Sequence, residues 1–315
     1  MRRFDYQDIN LIPRLCIVNS RSECDTRVKL GSHVFNMPVV PANMECVINS
    51  EIAIKLSMAG YFYIYHRFNT DILNFALAMK NLGLLLSISV GVNQDDYETL
   101  TILKNESCVP DFITIDIAHG HSLKMQAMIT WIAENLPTVF IIAGNVSTAE
   151  ASKDLESWGA HAIKVGIGPG SACTTYNATG FGSRHIQASV IQECASAVTT
   201  SQIIADGGIK DPGDIAKSLV LGADMVMVGG MFSALTDSPG STVRGSDGQL
   251  YKEFWGSASA FQNGKSNRIE GTKKLLPLKN NDTIQEMTYL KECLQSAISY
   301  GGGNNLLVFN DVKYV

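Results

Sequence analysis

"QIIADGGIKDPGDIAKSLVLGADMVMVGG", residues 202–230, holds one full repeat of the pattern that decides the fold. A β-rich apolar run (202–208) ends in paired glycines, a segment with helical spacing follows (212–221), and a second apolar run (224–230) ends in paired glycines again. Near-continuous apolar strands joined by an amphipathic segment belong to a parallel sheet buried on both faces.

The same rhythm runs back through the chain. "MPVVPAN" (37–43), "YFYIYH" (61–66), "LLLSISVG" (84–91), "FITIDIAHG" (112–120), "VFIIAGNV" (139–146) and "AIKVGIG" (162–168) bring the strand candidates to eight. Helical candidates lie at 49–59, 71–81, 95–105, 122–135, 148–158 and 186–197, and a last one at 283–299 follows strand eight. Eight units at a spacing of ~20–25 residues predict a closed α/β barrel, the (β/α)8 TIM barrel, which commonly needs ~250 residues. The chain has 315 residues, so one barrel leaves room for extensions. These are an N-terminal arm (1–36) and a flap insertion (231–281), where "DGQLYKEFWG" (247–256) has the makings of a hairpin. A loop that long is uncommon in a compact domain unless it is functional.

Composition narrows the class. A net charge of −5 with no long basic run gives no footprint for nucleic acid or an anionic membrane. No apolar run approaches the ~18 residues a bilayer span requires, and the opening "MRRFDYQDIN" has no apolar leader core. Seven cysteines without a CxxC pair read as reduced thiols in a cytoplasmic protein, with no structural zinc.

Polar and glycine residues gather where the strands end: Asn43, His66, Gly91, Asp116, Asn145, Gly168, Asp206 and Gly229. In a barrel these ends share one mouth, where active sites lie. The double glycines Gly207–Gly208 and Gly229–Gly230 follow strands seven and eight, the place where such barrels hold a phosphate on bare backbone N–H groups. Asp206 would repel a phosphate and suits ribose hydroxyls instead, so the implied ligand is a phosphorylated sugar or a mononucleotide.

"KVGIGPGSACTT" (164–175) closes strand six. Its GxGxG spacing lacks the dinucleotide fingerprint, and no Walker lysine follows. What remains is a bare loop that presents Cys173 to the mouth. A thiolate there suits attack on an electron-poor ring carbon. For Cys16, Cys24, Cys46, Cys108, Cys194 and Cys293 the usual role of a small buried hydrophobe is expected.

"GIGPGSACTT" with "ADGGI" and "VGGM" downstream resembles the IMP dehydrogenase/GMP reductase family. "SRSEC" (20–24), "PVVPANM" (38–44), "ITIDIAHGHS" (113–122) and "IAGNV" (142–146) match it in the same order, across essentially the whole chain. The resemblance implies a single catalytic barrel with no regulatory insert domain, and a covalent cysteine thioimidate at purine C2. The flap arginines Arg244 and Arg268 are not followed by tyrosine, unlike the Arg-Tyr pair of the dehydrogenase branch, whereas "NRIEGTKK" (267–274) offers Glu270. The implied reaction is NADPH-dependent reductive deamination of GMP to IMP and ammonia, by a cytoplasmic homotetramer. The alternative is an IMP dehydrogenase lacking its regulatory domain.

By the same resemblance, Cys173, Thr175 and Glu270 are catalytic. Asp206, Gly207, Gly208, Gly229, Gly230, Gly256, Ser257 and Gly271 bind the nucleotide. Ser20, Arg21, Arg67, Asp116, Ile117, Ala118, Ile167 and Gly168 bind NADPH. Carbonyls of Gly168, Gly170 and Cys173 hold K+, with Tyr176 standing where relatives carry a basic residue. The pair His119 and His121 receives no metal role.

Overall fold

The computed structural model describes residues 3–263 and 270–315. Flap residues 264–269, Arg268 among them, lie outside the described residues. In chain order the elements are β1 (Val28–Leu30), β2 (His33–Phe35), β3 (Val39–Pro41), α1 (Ser50–Met58), α2 (Ile72–Asn81), β4 (Ser87–Val90) and α3 (Gln94–Asn105). There follow β5 (Phe112–Asp116), α4 (Leu123–Asn135), β6 (Phe140–Val146), α5 (Ala149–Trp158), β7 (Ala162–Val165), α6 (Thr175–Thr179) and α7 (Gln187–Ala195). The last group is β8 (Gln202–Asp206), α8 (Pro212–Val220), β9 (Met225–Val228), α9 (Gly230–Ser233), β10 (Thr242–Arg244), β11 (Leu250–Trp255), α10 (Ala260–Asn263), β12 (Lys273–Pro277) and α11 (Thr283–Tyr300).

Seven strands form one parallel sheet in the order β3-β9-β8-β7-β6-β5-β4. The first strand thus pairs with the last, which an open sheet wound in sequence order cannot do. The expected strand at 61–66 occupies the remaining place beside β4, where Tyr65 donates to the Ser87 carbonyl at 3.1 Å and accepts from Ser89 at 2.8 Å. It is joined there by one bridge, Tyr65–Ile88, rather than a full ladder. The curled parallel sheet, with helices returning between its strands, is the (β/α)8 barrel architecture.

Strands have a side-chain period of two, so alternate residues face opposite sides. Val40, Phe62, Ile64, Phe112, Ile142, Ala162, Ile204, Met225 and Met227 form one buried cluster inside the barrel. Their neighbours Val39, Ile113, Ile141, Ile163, Ile203 and Val226 join the larger core under the helices. Both faces are buried, which is why the strands read as unbroken apolar runs.

The β1–β2 hairpin closes the base: Leu30 and Phe35 join the interior cluster, and Gly31 donates to Gln202 at the start of β8 at 3.1 Å. Helix starts carry side-chain caps. Thr148 accepts from Ala151 at 3.1 Å ahead of α5, and α8 opens with Pro212 behind an Asp211–Asp214 capping box. Among the described residues, no helix is long and apolar enough to cross a membrane.

The flap hairpin falls earlier than the expected 247–256: Asp247 and Gly248 (φ +81°) belong to its turn. Leu250–Trp255 is therefore a single strand, β11, paired with β10 on one side and, on the other, with β12, a strand that the sequence pattern does not reveal. Cys24, Cys46, Cys108 and Cys194 are buried as expected, and Cys293 is half-buried. Cys16 departs from that expectation. It is exposed on the arm that crosses the outer surface, and hydrogen bonding with Ser299 and Val18 lowers its thiol below the ordinary value.

Candidate active site

The cysteine loop leaves β7 through Gly166, whose φ of +148° suits glycine. A Cβ there would run into the Asp206 carbonyl, so β7 and β8 approach closely at this point. The buried Gln187 fixes the same spot, donating from Nε2 to the Val165 carbonyl at 2.9 Å and to the Asp206 carbonyl at 3.2 Å. A turn in which the Cys173 N–H meets the Gly170 carbonyl at 3.0 Å then presents a half-buried thiol.

Flap backbone closes over that thiol. Cys173 bridges Gly271, which also bridges Ser259. The Thr174 N–H reaches the Glu270 carbonyl at 2.9 Å, and the Thr272 N–H reaches the Ala172 carbonyl at 2.8 Å. Gly256 is packed so closely that an added Cβ would lie 2.9 Å from the Ala172 carbonyl. Gly256, Ser257 and Gly271 therefore sit around the cysteine loop.

The side chains meet in a line. The Cys173 thiol donates to Thr175 Oγ1 at 3.2 Å, and Thr175 Oγ1 donates to Glu270 Oε2 at 2.6 Å. This arrangement can carry a proton from sulfur to carboxylate and back.

Beside it, polar residues of four strands and Asn43, just past β3, join in one network. Asn43 donates to Asp116 at 3.0 Å, and Asn145 donates to Asp206 at 2.7 Å. Lys164 stands 3.0 Å from both Asp116 and Asp206. Burial would raise the Asp116 carboxyl, but the charge and hydrogen bond of Lys164, with Arg67 and Asn43, hold it below the ordinary range. Burial would lower the Lys164 ammonium, and the two carboxylates reverse that and raise it. Sequence reasoning assigned Lys164 no role. The signal was its parity: a lone charge in an apolar strand, two residues after the inward-facing Ala162.

The double glycines fall at the expected strand ends. Gly207 and Gly208 take φ values of +90° and +83°. Gly229 and Gly230 open the short helix α9, whose first N–H groups lack intrahelical acceptors.

Arg67 lies against the Gly91 backbone and donates to the Asp116 carbonyl at 3.4 Å. Its Nε is buried without a hydrogen-bond partner. An orphaned cationic donor at the mouth fits an anionic cofactor group.

Ser20 and Arg21 are not brought to this mouth. Arg21 donates to Ser296 at 3.2 Å and lies over the Tyr300 ring, in the last turns of α11. The start of α11 is tied to Asp237, just past β9, at the mouth side, so its last turns reach the opposite end of the barrel.

No group of three or more His, Cys, Asp or Glu side chains among the described residues is placed to hold a metal ion. The monovalent-cation expectation concerns main-chain carbonyls instead. Of these, Gly170 already accepts one hydrogen bond, and the Tyr176 backbone packs against Gly168.

A half-buried thiol linked through Thr175 to Glu270, beside the buried Asp116–Lys164–Asp206 cluster at the mouth of a (β/α)8 barrel, has the make-up of an enzyme site. The family model described as IMP dehydrogenase / GMP reductase domain matches residues 3–310. The chain belongs to that family. A GMP reductase of Bacillus subtilis (strain 168) is 50% identical over 315 residues, covering 99% of this chain and 95% of the relative. One of Clostridium acetobutylicum is 51% identical, with the same 99% and 95% coverage. Another, of Acidovorax sp. (strain JS42), is 50% identical, covering 100% of this chain and 96% of the relative.

Proposed function

We propose that this enzyme converts GMP to IMP and ammonia by NADPH-dependent reductive deamination. The Cys173–Thr175–Glu270 line carries the reading, because displacing an amino group needs both a nucleophile and a proton source. The names of the relatives support the same activity.

In this reading the GMP phosphate rests on Gly208, Gly229 and Gly230, its ribose on Asp206 and Gly207, and its base beneath Gly256, Ser257 and Gly271. Glu270 draws the thiol proton through Thr175, and the thiolate adds to C2. The exocyclic nitrogen is a poor leaving group until protonated, so the same relay returns a proton to it and ammonia departs. The result is a thioimidate on Cys173. Arg67, Asp116, Ile117, Ala118, Ile167 and Gly168 hold the reduced nicotinamide cofactor, which supplies hydride when bound. Cys173 is finally released as thiolate with IMP formed. The flap excludes water from the thioimidate, which would otherwise hydrolyse.

Ser20 and Arg21 act in this proposal from a neighbouring copy, in keeping with a homotetramer. K+ on the carbonyls of Gly168, Gly170 and Cys173, a cytoplasmic location and a single barrel without a regulatory insert complete the reading.

The test is absorbance at the nicotinamide band. GMP added to enzyme and NADPH should remove it, with ammonia released in equal amount. Production of NADH from IMP and NAD+, with no reaction of GMP, would instead establish the dehydrogenase alternative.

A further inference from the structure

Lys164 has no part in the steps above, yet its placement is unusually constrained. Its side chain is 2% exposed, and its Nζ touches Asp116 Oδ1 and Asp206 Oδ2 at 3.0 Å each. It also donates to Asn43 Oδ1 at 3.4 Å. Two carboxylate oxygens that touch one nitrogen are at most twice that contact distance apart. Without the ammonium they would face each other in a buried place, where joint ionisation is disfavoured.

Stability alone does not account for such a cluster. Well-packed apolar side chains of the same volume are often as stable as a buried ion group, or more so. The arrangement is better explained by what it orients. Asp206 is the proposed ribose acceptor of the nucleotide, and Asp116 is a proposed cofactor contact.

We infer that Lys164 is a positioning residue that holds Asp116 and Asp206 in one buried cluster, so that nucleotide and cofactor sites are coupled through a single side chain. This rests on the function proposed above. A residue shared in this way affects both ligands, and any coupling of their affinities is reciprocal.

The experiment compares the full-length wild type with Lys164→Met, measuring equilibrium binding of GMP alone and of NADPH alone. Both dissociation constants should rise about ten- to hundredfold, as expected when one partner of a buried charge pair is lost. The acid limb supplies a readout that a merely structural role would not move. Lys164, Arg67 and Asp206 are the charged groups facing Asp116, beside neutral Asn43. With the ammonium gone, Asp116 takes up a proton at higher pH, so NADPH binding should fail at a higher pH than in wild type.

Weakening of one ligand only, or a loss of equal size at every pH, overturns the inference. If Lys164→Met does not fold, the double variant Lys164→Met/Asp116→Asn removes one of the facing carboxylates. GMP affinity still reduced at least about tenfold in that variant supports the cluster, and wild-type GMP affinity overturns it. Wild-type protein that binds neither ligand overturns the proposed function together with this inference. Wild-type binding beside an unaffected Lys164→Met variant overturns the inference alone.

Discussion

Thr175 donates its hydroxyl to Glu270 at 2.6 Å, although 95 residues of chain separate them. The contact exists because flap backbone joins the cysteine loop through the Cys173–Gly271 bridge. Glu270 therefore joins the thiol's hydrogen-bond line, through Thr175, because flap backbone is paired with the cysteine loop.

Replacing members of this line should separate the chemical steps. Cys173→Ala is expected to abolish turnover while GMP still binds, checked by calorimetry beside the nicotinamide assay. Thr175→Ala and Glu270→Gln should slow ammonia release by about 10²–10⁴, the usual contribution of a positioned acid. Single-turnover ammonia measurements and a deuterated cofactor distinguish this from a slowed hydride step. A defect confined to hydride transfer would contradict the relay.

Gly230 tests the phosphate placement. A Cβ added there meets nothing within 4 Å, and alanine favours a helix over glycine by about 1 kcal/mol. Gly230→Ala should therefore leave the melting temperature unchanged or slightly raised. Its new methyl would occupy the approach of the phosphate, and the KM for GMP should rise about tenfold, a loss of about 1.4 kcal/mol. An unchanged KM would place the phosphate elsewhere.

The barrel could be read from the sequence because burial on both faces writes each strand as a continuous apolar run. The segment expected to be helical at 212–221 is helix Pro212–Val220, and the run 202–208 holds strand Gln202–Asp206. That strand stops at Asp206 because Gly207 and Gly208 turn to positive φ. The β12 strand, "KKLLP", escaped because it is mostly exposed and bears no alternation. The 61–66 segment was found by its burial, but its single bridge to β4 depends on ladder geometry that hydrophobicity does not encode. Cys173 stood out through its loop, whereas Thr175 was named only through family resemblance. Glu270 entered through family resemblance, since composition cannot show which distant loop folds over a thiol. Lys164 lay in the quoted motif unread, its meaning carried by strand parity.

Glu156 governs acid stability at the start of β8. Its Oε1 accepts the N–H groups of Thr199, Thr200 and Ser201 at 2.9, 2.7 and 2.8 Å. Burial raises its carboxyl, and these donors together outweigh that, holding it at about 2 against an ordinary 4.5. A depressed carboxyl stabilises the fold fully above its unfolded value and loses that contribution as pH falls through the folded one. The group is partly exposed, so screening trims the contribution to about 1–2 kcal/mol. Melting curves should show Glu156→Gln less stable than wild type at pH 7, with the gap narrowing below pH ~4.5 and gone near pH ~2. A gap constant across that range would mean that Glu156 acts through shape rather than charge.

Gly166 brings the backbone of the cysteine strand against Asp206, the ribose acceptor of the proposed function. Its φ is +148°, and an added Cβ would strike the Asp206 carbonyl and lie 2.8 Å from Gln187 Nε2. The backbone conformation alone costs a residue with a side chain about 1–3 kcal/mol, and the clash adds to it because the obstruction is main chain. Gly166→Ala should lower the melting temperature by several degrees. In the fraction that remains folded, β8 must shift away from β7, carrying Asp206 with it, so GMP affinity should fall as well. Gly230→Ala is the contrasting case, since it is expected to weaken GMP binding with no cost in stability. Wild-type melting and GMP affinity in Gly166→Ala would show that β7 and β8 can separate without disturbing the site, and Asp206 would then be no part of it.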